Sequence, residues 1–301
     1  MKWIIDTDFS TNSQNAIDLL IKYNLDIVAF TVVVDFAKNH PLDIKNKMVE
    51  YFKQKYNKEY TIYVGAQEPY IDYSEELGDS KLEDPYNVTE YKVKIRSSNE
   101  SRNYVPDLDN VACLKIVDLI NTYGKDLSIL SLSALTNISL AIILDNNISN
   151  KFDKLVVTGG STTGKGNSGV FSEANFRADP VAAKNVIKYY KNIVAVPMEA
   201  EISFINAFKD NLKELGSMSE YVAAIIKDKK NALQFVSALY VLNNNIANSV
   251  FNQLADIDIV GKLTRGAFSI MKYEWLVNEE YNKITYFEEL NKEEILKTLK
   301  N

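Results

Sequence analysis

The stretch Lys2-Trp3-Ile4-Ile5-Asp6-Thr7-Asp8-Phe9-Ser10-Thr11-Asn12-Ser13-Gln14-Asn15-Ala16 decides the fold. It begins with a short apolar run, Trp3 to Ile5, of the kind that forms a buried strand. It ends by entering residues 15–23, where Ala16, Ile17, Leu19, Leu20 and Ile21 share one helical face. Between the two lies a polar junction carrying two acids, Asp6 and Asp8. The same unit recurs outward along the chain. Residues 27–34 are β-branched and nearly all apolar, as in a strand covered on both sides. A helix over 44–56 and a strand over 61–64, closed by Gly65, follow. Further on, helices are predicted at 110–123, with Gly124 as the stop, and at 137–144. Strands are predicted at 127–132, 154–158 and 193–196. Asp179-Pro180 opens a helix through Tyr190, with Asp as N-cap and Pro in the first turn. Such alternation implies an α/β fold, an open and mainly parallel sheet with helices on both faces. After Glu201 the pattern turns mostly helical to about Asn248, and a mixed segment and a final charged helix from about Glu288 follow. The C-terminal third is therefore expected to be helical.

Residues 67–108 lack periodicity and are rich in Tyr, Asp, Ser and Asn; they read as an irregular surface excursion or as a lid over a site. With neither repeats nor a low-complexity linker, residues 1–301 are expected to form a single domain.

Composition removes several chemistries. The 301 residues are 46% hydrophobic and 25% charged, enough for a sizeable core. There are 34 Lys plus Arg against 40 Asp plus Glu, a net charge of -6, with both signs interspersed. No basic stripe exists, so nucleic acid is not expected as a partner. One His and one Cys exclude an internal disulfide and a Cys/His zinc site. A metal, if bound, must be a hard one held by oxygen. Two acids by position 8 break a signal-peptide pattern, and no run approaches ~18 uncharged apolar residues. A cytoplasmic protein with no membrane partner is expected.

In open α/β sheets, ligands bind beyond the C-terminal strand ends. That rule selects Asp6-Thr7-Asp8 with its following loop, Asp35-Phe36, the segment Ser131 to Asn137, and the segment Gly159-Gly160 through Glu173-Ala174-Asn175. Each alone has an ordinary reading, since Asp and Thr cap helices and paired Gly turns a chain. Together they resemble the inosine-uridine preferring nucleoside hydrolase family over most of the chain. One version of that family's first loop reads DTDIGTDVDDA, and residues 6–16 read DTDFSTNSQNA. The family's Ser-Ile-Gly-Pro-Leu-Thr-Asn is similar to Ser131–Asn137. Its Gly-Gly, Gly-Asn, Glu-Phe-Asn and Asp-Pro-Glu-Ala-Ala series is similar to Gly159-Gly160, Gly166-Asn167, Glu173-Ala174-Asn175 and the segment from Asp179 to Ala183.

The resemblance implies a calcium ion at the strand ends, holding the ribose diol and the attacking water, and an Asp taking the water's proton. By position, Asp8 matches the first metal ligand, Thr136 a carbonyl ligand and Asp6 the leading acid. Asn167, Glu173 and Asn175 match residues that bind ribose hydroxyls. The metal-ligand Asp of the first helix falls on Asn15, the proton-accepting Asp on Gln14, and a further loop Asp on Asn12. The late metal ligand, from a segment like His-Asp-Pro-Leu-Ala, falls on Asn252 within Phe251-Asn252-Gln253-Leu254-Ala255, with no His near it. Three metal-binding carboxylates thus become one, and an amide cannot accept a proton from water near neutral pH.

The expectation is a degenerate nucleoside hydrolase. Its calcium site, left as Asp8, Asn15, Thr136 and Asn252, is lost, so no metal or other cofactor is expected. Hydrolysis is weak or absent, and a nucleoside or ribose-like ligand is still bound by Asp8, Asn167, Glu173 and Asn175. The alternative is an active hydrolase of ribonucleoside N-glycosidic bonds with a rearranged or metal-independent site, in which Asp35 supplies a lost carboxylate beside Asp6, Asp8 and Glu173; only on this alternative could calcium be a cofactor. Phe235 and Tyr240 are weaker candidates for leaving-group contacts. Family members are commonly dimers or tetramers, so the resemblance implies a homo-oligomer.

Overall fold

The computed structural model describes residues 1–34, 39–70, 111–227, 232–271 and 282–300. The candidate Asp35, and all of the 67–108 segment beyond Tyr70, lie outside the described residues.

The first β-α unit is strand β1 (Lys2–Thr7) and helix α1 (Thr11–Lys22). Next come β2 (Ile27–Val32), α2 (Pro41–Tyr56) and β3 (Ile62–Val64). The single histidine, His40, caps α2: its Nδ1 accepts from Leu42 N at 3.1 Å, and Pro41 fills the first helical position. The middle of the chain supplies α3 (Ala112–Tyr123), β4 (Leu127–Ser131), α4 (Thr136–Leu144) and β5 (Leu155–Thr158). Gly124 ends α3 at φ 53°. Then follow α5 (Ala174–Ala178), α6 (Pro180–Tyr189), β6 (Ile193–Val196) and α7 (Met198–Phe208). Asp179 caps α6 as its sequence predicts, its side chain accepting from Ala182 N at 3.0 Å.

The C-terminal third differs from the helical expectation. Helices α8 (Ser219–Lys227) and α9 (Leu233–Leu242) are present. Three strands follow, β7 (Ala247–Ile257), β8 (Phe268–Met271) and β9 (Lys283–Leu290), before α10 (Lys292–Lys300). The strand order is β3-β2-β1-β4-β5-β6-β9-β7-β8. Pairings from β3 through β9 are parallel, while β7 runs antiparallel to both β9 and β8. β7 falls where the sequence pattern is mixed rather than strand-like, because it is a partly exposed strand near a sheet edge whose polar and apolar residues carry no strong period.

Alternation along the strands builds two cores. Trp3, Ile5, Leu130, Val156 and Val194 pack on one face against residues of α1, α2, α7, α8, α9 and α10. Ile4, Ile129, Leu155, Val157 and Ala195 pack on the other against α3, α4 and α6. The sheet is thus covered on both faces, which is why its central strands read as continuous apolar runs. The chain reverses its direction of growth across the sheet between β1 and β4, so the crevice at their C-terminal ends is the topological switch point.

Candidate functional site

The switch point places Asp6 at the last turn of the pleat in β1. Its carboxylate is fully buried. Oδ1 accepts from Thr31 Oγ1 at 2.6 Å, across from β2, and from Asn137 Nδ2 at 2.8 Å, from the start of α4. Oδ2 has no hydrogen-bond partner among the described residues. Burial, aided by the Asp8 charge, pushes the Asp6 pKa up to about 6, although the Thr31 and Asn137 bonds pull it down. Asn137 also accepts from Ala66 N at 2.8 Å, so one side chain ties the ends of β1 and β3 together. Gly65 is required beside it, because a Cβ there would lie 2.1 Å from Asn137 Oδ1.

Asp8 follows at the strand's end and is 6% exposed. Its Oδ1 accepts from Ser10 N at 3.0 Å and Ser13 Oγ at 2.8 Å. The turn that folds the loop back onto this carboxylate passes through Phe9, whose φ is 52°. Such a backbone costs a non-glycine residue about 1–2 kcal/mol. The Phe9 ring is held edge-on against Tyr51 at 5.3 Å and Phe52 at 6.0 Å, which offsets that cost by burial.

Gln14 and Asn15 lie in the first turns of α1. Gln14 Nε2 donates to Phe9 O at 2.9 Å, closing the loop upon itself. Asn15 presents its backbone carbonyl to Tyr221 Oη at 2.7 Å. Thr136, in the first turn of α4, is buried and donates from Oγ1 to Asp179 Oδ2 at 2.8 Å; Tyr70 N donates to the same oxygen at 3.1 Å.

The ribose-binding candidates come together at the ends of β4 and β5. Glu173 caps α5: its Oε2 accepts from Asn175 N at 2.9 Å, Phe176 N at 3.2 Å and Gly160 N at 3.3 Å. Burial pushes its pKa up to about 7, against those three N–H groups and with the Glu201 charge. Asn175 Nδ2 donates to Thr158 O at 2.8 Å and Leu132 O at 3.4 Å. Asn167 is exposed, and its Oδ1 accepts from Ala174 N at 2.9 Å. Leu132 joins this group to the first motif, since its N–H donates to Asp6 O at 2.8 Å.

Two side chains that sequence reasoning missed complete the rim. Gln234 Nε2, in the first turn of α9, donates to Leu132 O at 3.4 Å. Glu201, 4% exposed, accepts from Ala232 N at 2.8 Å at the mouth of the same helix, and burial raises its pKa. The available signal was the pair Gln234 and Ser237, spaced i and i+3 in an otherwise apolar helix; Ser237 receives Thr158 Oγ1 at 2.8 Å.

Three residues are not brought to the site. Asn252 is an exposed residue in the middle of β7, paired with Thr285. β7 lies five strand positions from β1, about 24 Å at the usual inter-strand spacing. Its side chain therefore does not meet Asp8. Phe235 is fully buried, ringed by Phe204 at 5.6 Å and Tyr221 at 5.9 Å, and is core. Tyr240 stacks on Phe287 at 5.0 Å and lines, with Trp3 and Leu25, a cavity of about 400 Å³ at the opposite end of the strands.

Buried carboxylates and amides at the switch point of a doubly wound sheet define an α/β protein whose polar groups gather where such sheets usually bind ligands. Residues 3–297 match the model of the inosine-uridine preferring nucleoside hydrolases, and the chain belongs to that family. It is 32% identical over 109 residues to uridine nucleosidase 1 of Arabidopsis thaliana, covering 36% of this chain and 32% of that one. It is 38% identical over 76 residues to a probable uridine nucleosidase 1 of Oryza sativa subsp. japonica, 25% of this chain and 24% of that one. The matches thus span about a third or less of these curated relatives. Among solved structures, a plant nucleoside hydrolase superposes with a TM-score of 0.73 at 15% identity, covering 99% of this chain and 97% of that one. A purine-preferring ribonucleoside hydrolase from Gardnerella vaginalis gives 0.66 at 16%, covering 99% and 96%. These two likenesses carry the fold. No helix among the described residues is long and apolar enough to cross a membrane.

Proposed function

We infer that this chain binds the ribosyl part of a nucleoside at the strand ends of β1, β4 and β5 and that its N-ribosidic hydrolysis is weak or absent. One observation carries the reading. Gln14 stands where the family's proton acceptor is expected, and its amide is turned to donate to Phe9 O at 2.9 Å. An amide in that pose neither accepts a proton from water nor leaves the loop free to rearrange. The donor set points the same way for the calcium that the family implies. Among the described residues no three His, Cys, Asp or Glu side chains gather as metal ligands, and Asn252 is remote. Asp8 with amide neighbours supplies too little negative charge for a tight calcium site, so the residues do not fit the ion.

Uridine is the first ligand to try, since uridine nucleosidases are among the relatives. Calorimetry of the whole protein with uridine and with calcium, beside a uridine and inosine hydrolysis assay, tests this. Uridine binding with no calcium heat and little turnover is expected. Micromolar calcium binding together with clear turnover refutes it.

A second reading has one observation in its favour. Glu173 is a buried acid with a pKa near 7, the range of a general acid at neutral pH. With Asp8 and Asp35 it would make a metal-independent hydrolase. Turnover that survives a chelator and is lost in Glu173→Gln would establish it.

A further inference from the structure

The segment from Ser161 to Asn167 has no regular secondary structure, yet it holds Asn167 against the start of α5. What fixes it comes from the first turn of α7. Glu199 Oε1 accepts from Ser161 Oγ at 2.9 Å, Thr163 N at 3.0 Å and Thr163 Oγ1 at 2.6 Å, and Oε2 accepts from Thr162 N at 3.0 Å. Ser161 Oγ in turn accepts from Lys165 N at 3.1 Å, which carries the hold to within two residues of Asn167. Thr162 Oγ1 makes a second tether to Glu288 Oε1 on β9, at 2.7 Å.

Two of the four groups facing Glu199 can only donate, Thr163 N onto Oε1 and Thr162 N onto Oε2, and they fall on different oxygens. Only a side chain whose two oxygens both accept can satisfy them, which is the ionised carboxylate. Its pKa agrees: burial pushes it up, but the bonds from Thr163 and Thr162 outweigh burial and hold it below the ordinary glutamate value. In Gln, one acceptor would become an NH₂ group facing an N–H donor.

The geometry points to Glu199 as a positioning residue whose carboxylate clamps the 161–167 loop and thereby sets Asn167 in the ribosyl site. The ligand half of this rests on the reading given above; the clamp does not. The test uses the full chain with Glu199→Gln, and with Thr163→Val, which removes one donor from the exposed side. Hydrogen exchange of amides 161–168 reads the clamp, and uridine calorimetry reads its consequence, each alone and combined with Asn167→Ala. Faster exchange of these amides is expected in both variants, by about tenfold in Glu199→Gln. Uridine affinity should fall about tenfold, and Asn167→Ala should cost little more in the Glu199→Gln background, because the two act as a unit. Unchanged exchange overturns the proposal, as does full additivity of the two substitutions. If the unaltered protein binds no uridine, the ribosyl reading fails, and exchange alone then decides the clamp.

Discussion

Replacing Glu173 by Gln should stabilise the protein in a pH-dependent way. Burial raises this carboxyl from an ordinary 4.5 to about 7. The folded state therefore holds a proton that the unfolded chain releases, and stability declines as pH rises from the lower value through the upper one. A shift of about 2.5 units at 1.36 kcal/mol each makes the cost about 3 kcal/mol above the folded pKa. At about pH 5 the same linkage costs less than about 1 kcal/mol. Gln is suited to remove the charge cleanly, because all three N–H groups converge on Oε2. An amide oxygen in that position keeps the bonds, and the charge disappears. Urea unfolding of both proteins at about pH 5 and about pH 8.5 measures the difference. Glu173→Gln should gain about 2–3 kcal/mol relative to the parent between the two conditions. An equal difference at both pH values would mean that Glu173 titrates normally, and would remove the physical basis for treating it as a poised acid. Destabilisation at both would mean that the second oxygen is also an acceptor the fold needs.

Asn137→Ala should destabilise by about 3 kcal/mol in urea unfolding, since it strips bonds from both buried Asp6 and Ala66 N. Asp8→Asn keeps an oxygen for Ser10 N and Ser13 Oγ, so the melting temperature should hold while uridine affinity falls roughly tenfold, read by calorimetry. Gln14→Asp combined with Asn15→Asp places carboxylates beside Asp8. Without a cation their repulsion should lower the melting temperature, and added calcium should recover part of that loss. A melting curve indifferent to calcium would show that the first loop alone is not a calcium cradle.

Much of the fold was legible because local and global signals agreed. The β-α alternation, the Asp179-Pro180 cap and the Gly124 stop are each local chemistry that the tertiary structure keeps. The C-terminal strands were not legible. β7 is stabilised by pairing with β9 and β8 rather than by its own pattern, and a residue match on Phe251-Asn252-Gln253-Leu254-Ala255 carried no information about that pairing. The same limit explains Gln234 and Glu201. Gln234 reaches the strand ends only because α9 runs back across the sheet, from Leu132 O at its first turn to the Trp3 end at Tyr240; Glu201, on α7, meets that helix through the Ala232 N–H it accepts. Spacing in the chain does not encode where a returning helix begins.

The local charge of the crevice gives the amides at positions 12, 14 and 15 a physical logic. Buried acids meet there in two pairs in the described structure, Asp6 with Asp8 and Glu173 with Glu201. Like charges so paired repel, and the fold must lower that charge or lose stability. Amides at Asn12, Gln14 and Asn15 lower it in the sequence itself. Raised pKa values at Asp6, Glu173 and Glu201 lower it again by proton uptake. Hydrogen bonds do the remainder: Asp8 is held by Ser13 and the Ser10 amide, and Asp6 by Thr31 and Asn137. On the ribosyl-binding reading proposed above, a crevice arranged in this way would need no metal and would still present acceptors to a ligand's hydroxyl groups. Strengthening of uridine binding as pH falls toward 6 would be opposed to that design if hydroxyl recognition needs the ionised carboxylates. The expected profile is a loss of affinity as pH falls through about 7 and then about 6, where first Glu173 and then Asp6 take up protons. Calorimetric titration across that range checks it, and a flat profile would show that the ligand is held by the amides alone.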